Sequence, residues 1–311
     1  MKFSVSSRDL QQALTSVNGA VPTKSTLPIL ECALFERDGD HLVLSATDLE
    51  ISIVQRLSVA FESNGTDGGG RIAVPAKRLL DTLRALPDLP VTFHADGEFN
   101  VELTTDQGRY KMVGYDGADY PALPQLDAEQ AIAANAALVK RAIDKTGFAV
   151  RKAALRPAML GVYFQVHPEN TRVVATDGHR LVRLTLSTLT SDSAADFVVP
   201  EKALSLAGKA AGDGACTIRA GGGFVSFDFG QTKVIGRMID EAYPNYEAVI
   251  PMDNDRMLTV SREAMLQAVK RVALYSSAMT HQIRLSRKAN EMTISAEDIE
   301  RAMTFLLEHV D

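Results

Sequence analysis

The chain repeats itself, and a repeated unit constrains the fold before any single residue does, because each copy must bury the same face in the same way. Three segments open alike, with a short alternating apolar stretch followed by an amphipathic helix. The first is Phe3-Ser4-Val5, then Leu10, Leu14 and Val17 on one helix face. The second is Ile132-Ala133-Ala134, then Val139 and Ile143; the third is Leu258-Thr259-Val260, then Met265, Val269 and Val272. The copies are offset by 129 residues from Leu10 to Val139 and by 126 from Val139 to Met265. Ser6 and Ser261 stand where an N-cap belongs, since a hydroxyl there accepts from the free amides of the first turn.

More landmarks recur in the same order. Val74-Pro75-Ala76-Lys77 and Val199-Pro200-Glu201-Lys202 each open a second helix with proline at its start. Tyr120-Pro121 recurs as Tyr243-Pro244, and the later Pro124 and Pro251 mark connections between copies. Leu44-Ser45-Ala46-Thr47-Asp48-Leu49 matches Val173-Val174-Ala175-Thr176-Asp177-Gly178, and Ile294-Ser295-Ala296-Glu297-Asp298-Ile299 fits the same slot. Strand-like alternation fills the rest, for example Leu42 to Ile53, Leu160 to Phe164 and Cys216 to Phe229. The expected fold class is α+β, each full copy having two helices packed on antiparallel sheets in about 125 residues. Domains are expected at 1–126, 127–251 and 252–311. The third copy reads as incomplete: an opening strand, one helix and strands near Ile283-Arg284-Leu285 and Met292-Thr293-Ile294. The spacing of the first two copies calls for about 60 residues more. The tail Arg301–Asp311 is expected to be helical, with Met303, Leu306, Leu307 and Val310 on one side.

No apolar run long enough for a membrane helix exists, and Met1-Lys2-Phe3-Ser4-Val5 lacks a signal-peptide core. Cys32 and Cys216 show no metal-ligand spacing, so neither a metal nor another cofactor is expected, and a reduced cytoplasmic setting follows. The net charge of −6 taken alone argues against a nucleic-acid partner. Its distribution argues otherwise. Helices are predicted at 6–17, 75–86, 136–147, 200–211 and 261–272, and they hold twelve basic against five acidic residues, +7 in all. The remainder of the −6 chain is therefore at −13. Helices often carry cations on their solvated faces, but five equivalent ones against an acidic remainder suggest a common surface suited to phosphates. The set lacks interleaved aromatics, which disfavours single-strand stacking and fits sequence-blind contact with duplex phosphates.

An enzyme is the main rival. Asp177 and His179 could form half of a catalytic relay or bind a metal. No other histidine lies at ligand spacing, no nucleophile motif is near, and Asp48 fills the same slot in copy one without a histidine, so the aspartate reads as a turn residue. Gly65-Thr66-Asp67-Gly68-Gly69-Gly70 lacks the Lys-Ser/Thr of a phosphate loop and reads as a hairpin loop.

Thr176-Asp177-Gly178-His179-Arg180-Leu181, between two strands, resembles the bacterial replicative sliding clamps, the β subunits of DNA polymerase III. Ser25-Thr26-Leu27-Pro28-Ile29-Leu30, Ala46-Thr47-Asp48-Leu49-Glu50, Val74-Pro75-Ala76-Lys77 and Tyr243-Pro244-Asn245-Tyr246 extend the resemblance in collinear order to about residue 300. The resemblance implies a non-enzymatic processivity factor, a head-to-tail homodimer closing a ring of repeated domains around duplex DNA, with helices inside and sheets outside. It implies DNA-facing positions at Lys24, Lys77, Arg156 and Lys202, with Glu201 where a basic residue is expected. It implies a peptide pocket at Met159, Thr176, Gly178, His179, Arg180, Leu181, Pro244 and Val249, serving polymerase, clamp loader and repair proteins, with Ala248 replacing a usually basic residue. Pocket residues that the family takes from the end of the third domain have no counterpart. At the subunit contact, Tyr110 and Met112 would face Leu274 and Tyr275 of a neighbour. The alternative is a clamp-derived interaction scaffold that closes no ring.

Overall fold

The computed structural model describes residues 1–62, 70–126, 131–151, 156–288 and 291–298, and the backbone of 303–310. The first copy runs β1 (Lys2–Ser6), α1 (Ser7–Val17), β2 (Cys32–Asp38), β3 (His41–Thr47), β4 (Ile51–Ser58), β5 (Ala60–Phe61), β6 (Arg71–Pro75), α2 (Ala76–Ala85), β7 (Pro90–Ala95), β8 (Asn100–Thr104), β9 (Arg109–Val113) and β10 (Tyr115–Asp116). The second runs β11 (Ala131–Asn135), α3 (Ala136–Thr146), β12 (Gly161–Val166), β13 (Thr171–Thr176), β14 (Leu181–Leu186), β15 (Ala195–Pro200), α4 (Glu201–Ala210), β16 (Ala215–Gly221), β17 (Phe224–Asp228) and β18 (Thr232–Arg237). The third has α5 (Arg262–Ala273), β19 (Arg284–Lys288), β20 (Glu291–Asp298) and β21 (Met303–Val310). The α+β expectation holds, and all five predicted helices form within a residue or two of the expected bounds.

The helices form for the reasons their patterns give. In α1, Leu10, Ala13, Leu14 and Val17 make one stripe and all are buried. Each such leucine removed from water stabilises the fold by about 1.5–3 kcal/mol. Ser6 caps α1 by accepting from the amides of Arg8 and Asp9, and Ser261 caps α5 by accepting from that of Ala264. In the second copy Asn135 takes the same role at the start of α3.

Copies one and two share a sheet. Nine antiparallel strands run in the order β10-β6-β2-β3-β4-β18-β17-β16-β11, so β4 of the first copy pairs with β18 of the second. Across that seam Ile53 faces Val234 and Gln55 faces Thr232. Two smaller sheets, β5-β1-β7-β8-β9 and β14-β13-β12-β15, pack across the helices. A stack of Phe3 on Phe93 (4.8 Å) and of Phe93 on Phe35 (5.3 Å) joins the five-stranded sheet to the nine-stranded one. Met1–Tyr246 therefore form one compact unit, and Glu247–Asp311 another. At the seam α4 lies close over β18: a Cβ on Gly236 would sit 2.7 Å from the Ala203 methyl carbon.

Two expectations for the third copy fail. Leu258–Val260 forms no strand, and Met257 and Leu258 are largely exposed. In the earlier copies the opening strand is held by a strand from late in the same copy, β1 by β7 and β11 by β16. No such strand exists in the third copy among the described residues, so the segment has no ladder to join. The tail is likewise a strand, not a helix. Met303 to Val310 pairs antiparallel with β20, from Met303 opposite Asp298 to Val310 opposite Met292. An apolar run this short fits either period, and the free edge of β20 offers a ladder that a helix would leave unused. This unit has its own small core of Ala268, Val272, Met292, Ile294 and Ala296. The glycine-rich loop lies outside the described residues except for Gly70. Among the described residues, no helix is long and apolar enough to cross a membrane.

Candidate functional site

The recurring Thr-Asp sequence builds the same turn twice. In copy one it links β3 to β4. Thr47 Oγ1 accepts from the Leu49 amide (3.0 Å) and donates to the Ile51 carbonyl (3.1 Å), while Asp48 Oδ1 accepts from the amides of Glu50 (3.1 Å) and Ile51 (2.7 Å). In copy two it links β13 to β14. Thr176 Oγ1 accepts from the Gly178 amide (3.1 Å) and donates to the Arg180 carbonyl (2.8 Å), and Asp177 Oδ1 accepts from the amides of His179 (3.0 Å) and Arg180 (2.9 Å). The residue after the aspartate has positive φ in both, 75° at Leu49 and 90° at Gly178. Glycine meets that demand without strain, leucine does not.

Each turn is fastened from behind by a tyrosine. The Tyr120 hydroxyl accepts from the Thr47 amide (3.2 Å) and donates to the Cys32 carbonyl (3.3 Å). The Tyr243 hydroxyl accepts from the Thr176 amide (3.1 Å), and its ring stacks on Tyr163 at 4.8 Å. Burial pushes both phenols up to about 12, which keeps them protonated. The repeated Tyr-Pro landmarks thus have a physical role that sequence inspection did not assign: each hydroxyl satisfies the first amide of a Thr-Asp turn. Their recurrence with Thr-Asp in both copies was the available signal.

The carboxylate of Asp177 is fully employed. Beside its two backbone donors, Oδ2 accepts from Arg180 Nε (3.0 Å). The amides of Arg180 and His179, together with the guanidinium, lower its pKa to about 2, which makes it a poor proton acceptor near neutrality. Arg180 also donates to the Phe148 carbonyl (2.8 Å) and lies 5.5 Å over that exposed ring.

Of the expected pocket residues, the β13–β14 turn brings Thr176, Gly178, His179, Arg180 and Leu181 together. Met159 packs behind them, buried, and its methyl carbon would lie 3.6 Å from a Cβ on Gly178. Pro244 follows the Tyr243 that fastens the turn. Val249 lies in the second unit and is 69% exposed. Lys24, Lys77, Arg156 and Lys202 are all exposed, as are the other ten cations of the predicted helices. Of the first four, only Lys202 has an ion-pair partner among the described residues: its ammonium is paired with Asp48 Oδ2 at 2.5 Å. Tyr110 is half-buried on the edge strand β9, and Met112 is spent on the core of the first copy, with 8% exposure. Both line a groove of about 1050 Å³ that also takes in Lys77, Arg78 and Tyr115. Leu274 and Tyr275 sit at the exposed end of α5.

Comparison with known families accounts for the repeat. Three models of the DNA polymerase III beta subunit match in sequence: the N-terminal domain at residues 1–124, the central domain at 133–245 and the C-terminal domain at 247–305. The chain belongs to the DNA polymerase III beta subunit family. The beta sliding clamp of Caulobacter vibrioides is 29% identical over 96% of this chain and 82% of its own length. That of Synechococcus elongatus is 28% identical over 96% and 82%. Among solved structures, the Pseudomonas aeruginosa sliding clamp bound to griselimycin is 26% identical, with a TM-score of 0.89 over 99% of this chain and 84% of that one. The twin Thr-Asp turns fall one in the N-terminal and one in the central match of this beta-subunit chain.

Proposed function

We propose that this chain is a sliding clamp that works without catalysis: a head-to-tail homodimer that encircles duplex DNA and tethers the replicative polymerase, clamp loader and repair proteins by short peptides, in the cytoplasm. Three clamp domains, 1–126, 127–251 and 252–311, make up each subunit. The observation that carries this is the cationic helix set. Equivalent helices of a family-defining repeat bury their apolar stripes and expose their lysines and arginines, while the net negative charge lies elsewhere in the chain. Lys24, Lys77, Arg156 and Lys202 are assigned to the duplex. Met159, Thr176, Gly178, His179, Arg180, Leu181, Pro244 and Val249 are assigned to the partner peptide. Tyr110, Met112, Leu274 and Tyr275 are assigned to the subunit contact, where Met112 acts by supporting β9 from the core.

Replacing Lys24 and Lys77 by alanine should weaken binding equally on unrelated duplex sequences and flatten its salt dependence by about 0.9 per lost phosphate contact. A loss confined to one sequence would contradict sliding contact. Griselimycin, bound by the Pseudomonas relative, is a probe for the pocket. Leu181→Ser should weaken it at least tenfold and leave duplex binding intact; unchanged binding would remove Leu181 from the pocket.

A further inference from the structure

The Asp48–Lys202 pair joins two copies of the repeat. Asp48 belongs to the turn after β3 in copy one, and Lys202 to the first turn of α4 in copy two. The β4–β18 seam brings them together. Beside it the Arg237 amide donates to the Glu50 carbonyl (2.8 Å), and Arg237 Nε lies 3.0 Å from Glu50 Oε2. The two partners are unequal. Asp48 is fixed: Oδ1 accepts two amides, its side chain is 17% exposed, and the preceding Thr47 is held by Tyr120. Lys202 is a flexible chain, 58% exposed. Lys24, Lys77 and Arg156 have no ion-pair partner among the described residues. In copy two the matching carboxylate, Asp177, turns to Arg180 of its own turn instead.

We propose that Asp48 holds Lys202 back from the duplex, so that this lysine reaches a phosphate only when the ion pair opens. It rests on the duplex-facing role proposed above. A phosphate must displace a carboxylate that the fold keeps in place, and an exposed pair of this kind holds its cation by a factor of up to about five. Lys202 therefore adds less to affinity than its position suggests, and Asp48 is a positioning residue that keeps the protein–DNA contact weak.

The test is fluorescence anisotropy of the full chain with a short labelled duplex at low and moderate salt. Asp48→Asn keeps an oxygen for the Glu50 and Ile51 amides and so preserves the turn. It should lower Kd about two- to fivefold at low salt and steepen the salt slope by up to about 0.9. Adding Lys202→Ala to Asp48→Asn should cancel both effects, and Lys202→Ala alone should cost clearly less than Lys77→Ala. A gain that survives in the double variant would be a general charge effect and would overturn the proposal. So would Lys202→Ala costing as much as Lys77→Ala, a comparison that stands even if Asp48→Asn does not fold. Failure of Lys77→Ala to weaken duplex binding would instead take down the duplex-facing role itself.

Discussion

Removing one oxygen from Tyr120 tests whether the Thr-Asp turn is fastened as described. In Tyr120→Phe the ring still fills its site, which is 3% exposed, but the Thr47 amide loses its acceptor and the Cys32 carbonyl a donor. A buried group left without a partner costs about 1–3 kcal/mol. The two bonds measure 3.2 and 3.3 Å, the long end of the usual range, which places the expected loss in the lower half, about 1–2 kcal/mol. The assay is amide hydrogen exchange of the peptide spanning Thr47, because the chain has two compact units and a single global unfolding midpoint would mix them. Exchange should quicken about 5- to 30-fold around Thr47. Tyr243→Phe, which strips one amide in a half-buried site, should quicken exchange at Thr176 by less. Equal protection in Tyr120→Phe and the parent protein would refute the fastening role.

Three further outcomes follow from the same geometry. The Asp177 carboxylate should titrate at about 2 by NMR. Its folded pKa lies below the ordinary value of 3.8, so its contribution is present above about pH 4 and fades as pH falls through 2; an ordinary titration midpoint would mean the backbone donors are not engaged. Gly236→Val should destabilise the first unit by about 1–3 kcal/mol in urea, since the new side chain meets Ala203 on α4 rather than a yielding side-chain end; a silent substitution would show that α4 does not press on β18. Leu274→Asp should shift the sedimentation of a dimer toward monomer at micromolar concentration, and an unchanged dimer would remove α5's end from the contact.

The repeat was legible in the sequence because burial enforces it: Leu10, Val139 and Met265 mark the same helix face three times. The caps at Ser6 and Ser261 were legible because their chemistry is local. The sheet seam was not, since pairing β4 with β18 joins residues about 180 positions apart and no short pattern encodes it. Asp48 read as a turn residue, correctly, but its second oxygen reaches Lys202 only because of that seam. The third copy misled for a related reason: Leu258-Thr259-Val260 has the composition of β1 but, among the described residues, finds no late strand of the kind that holds β1. Composition proposes a strand; a partner decides it.

The claim that most depends on assembly is closure around DNA, and topology tests it directly. Labelled subunits assembled in the presence of circular duplex, then passed through gel filtration at salt high enough to break phosphate contacts, should stay with the circle and leave when it is linearised. Equal release from circle and line would contradict the ring.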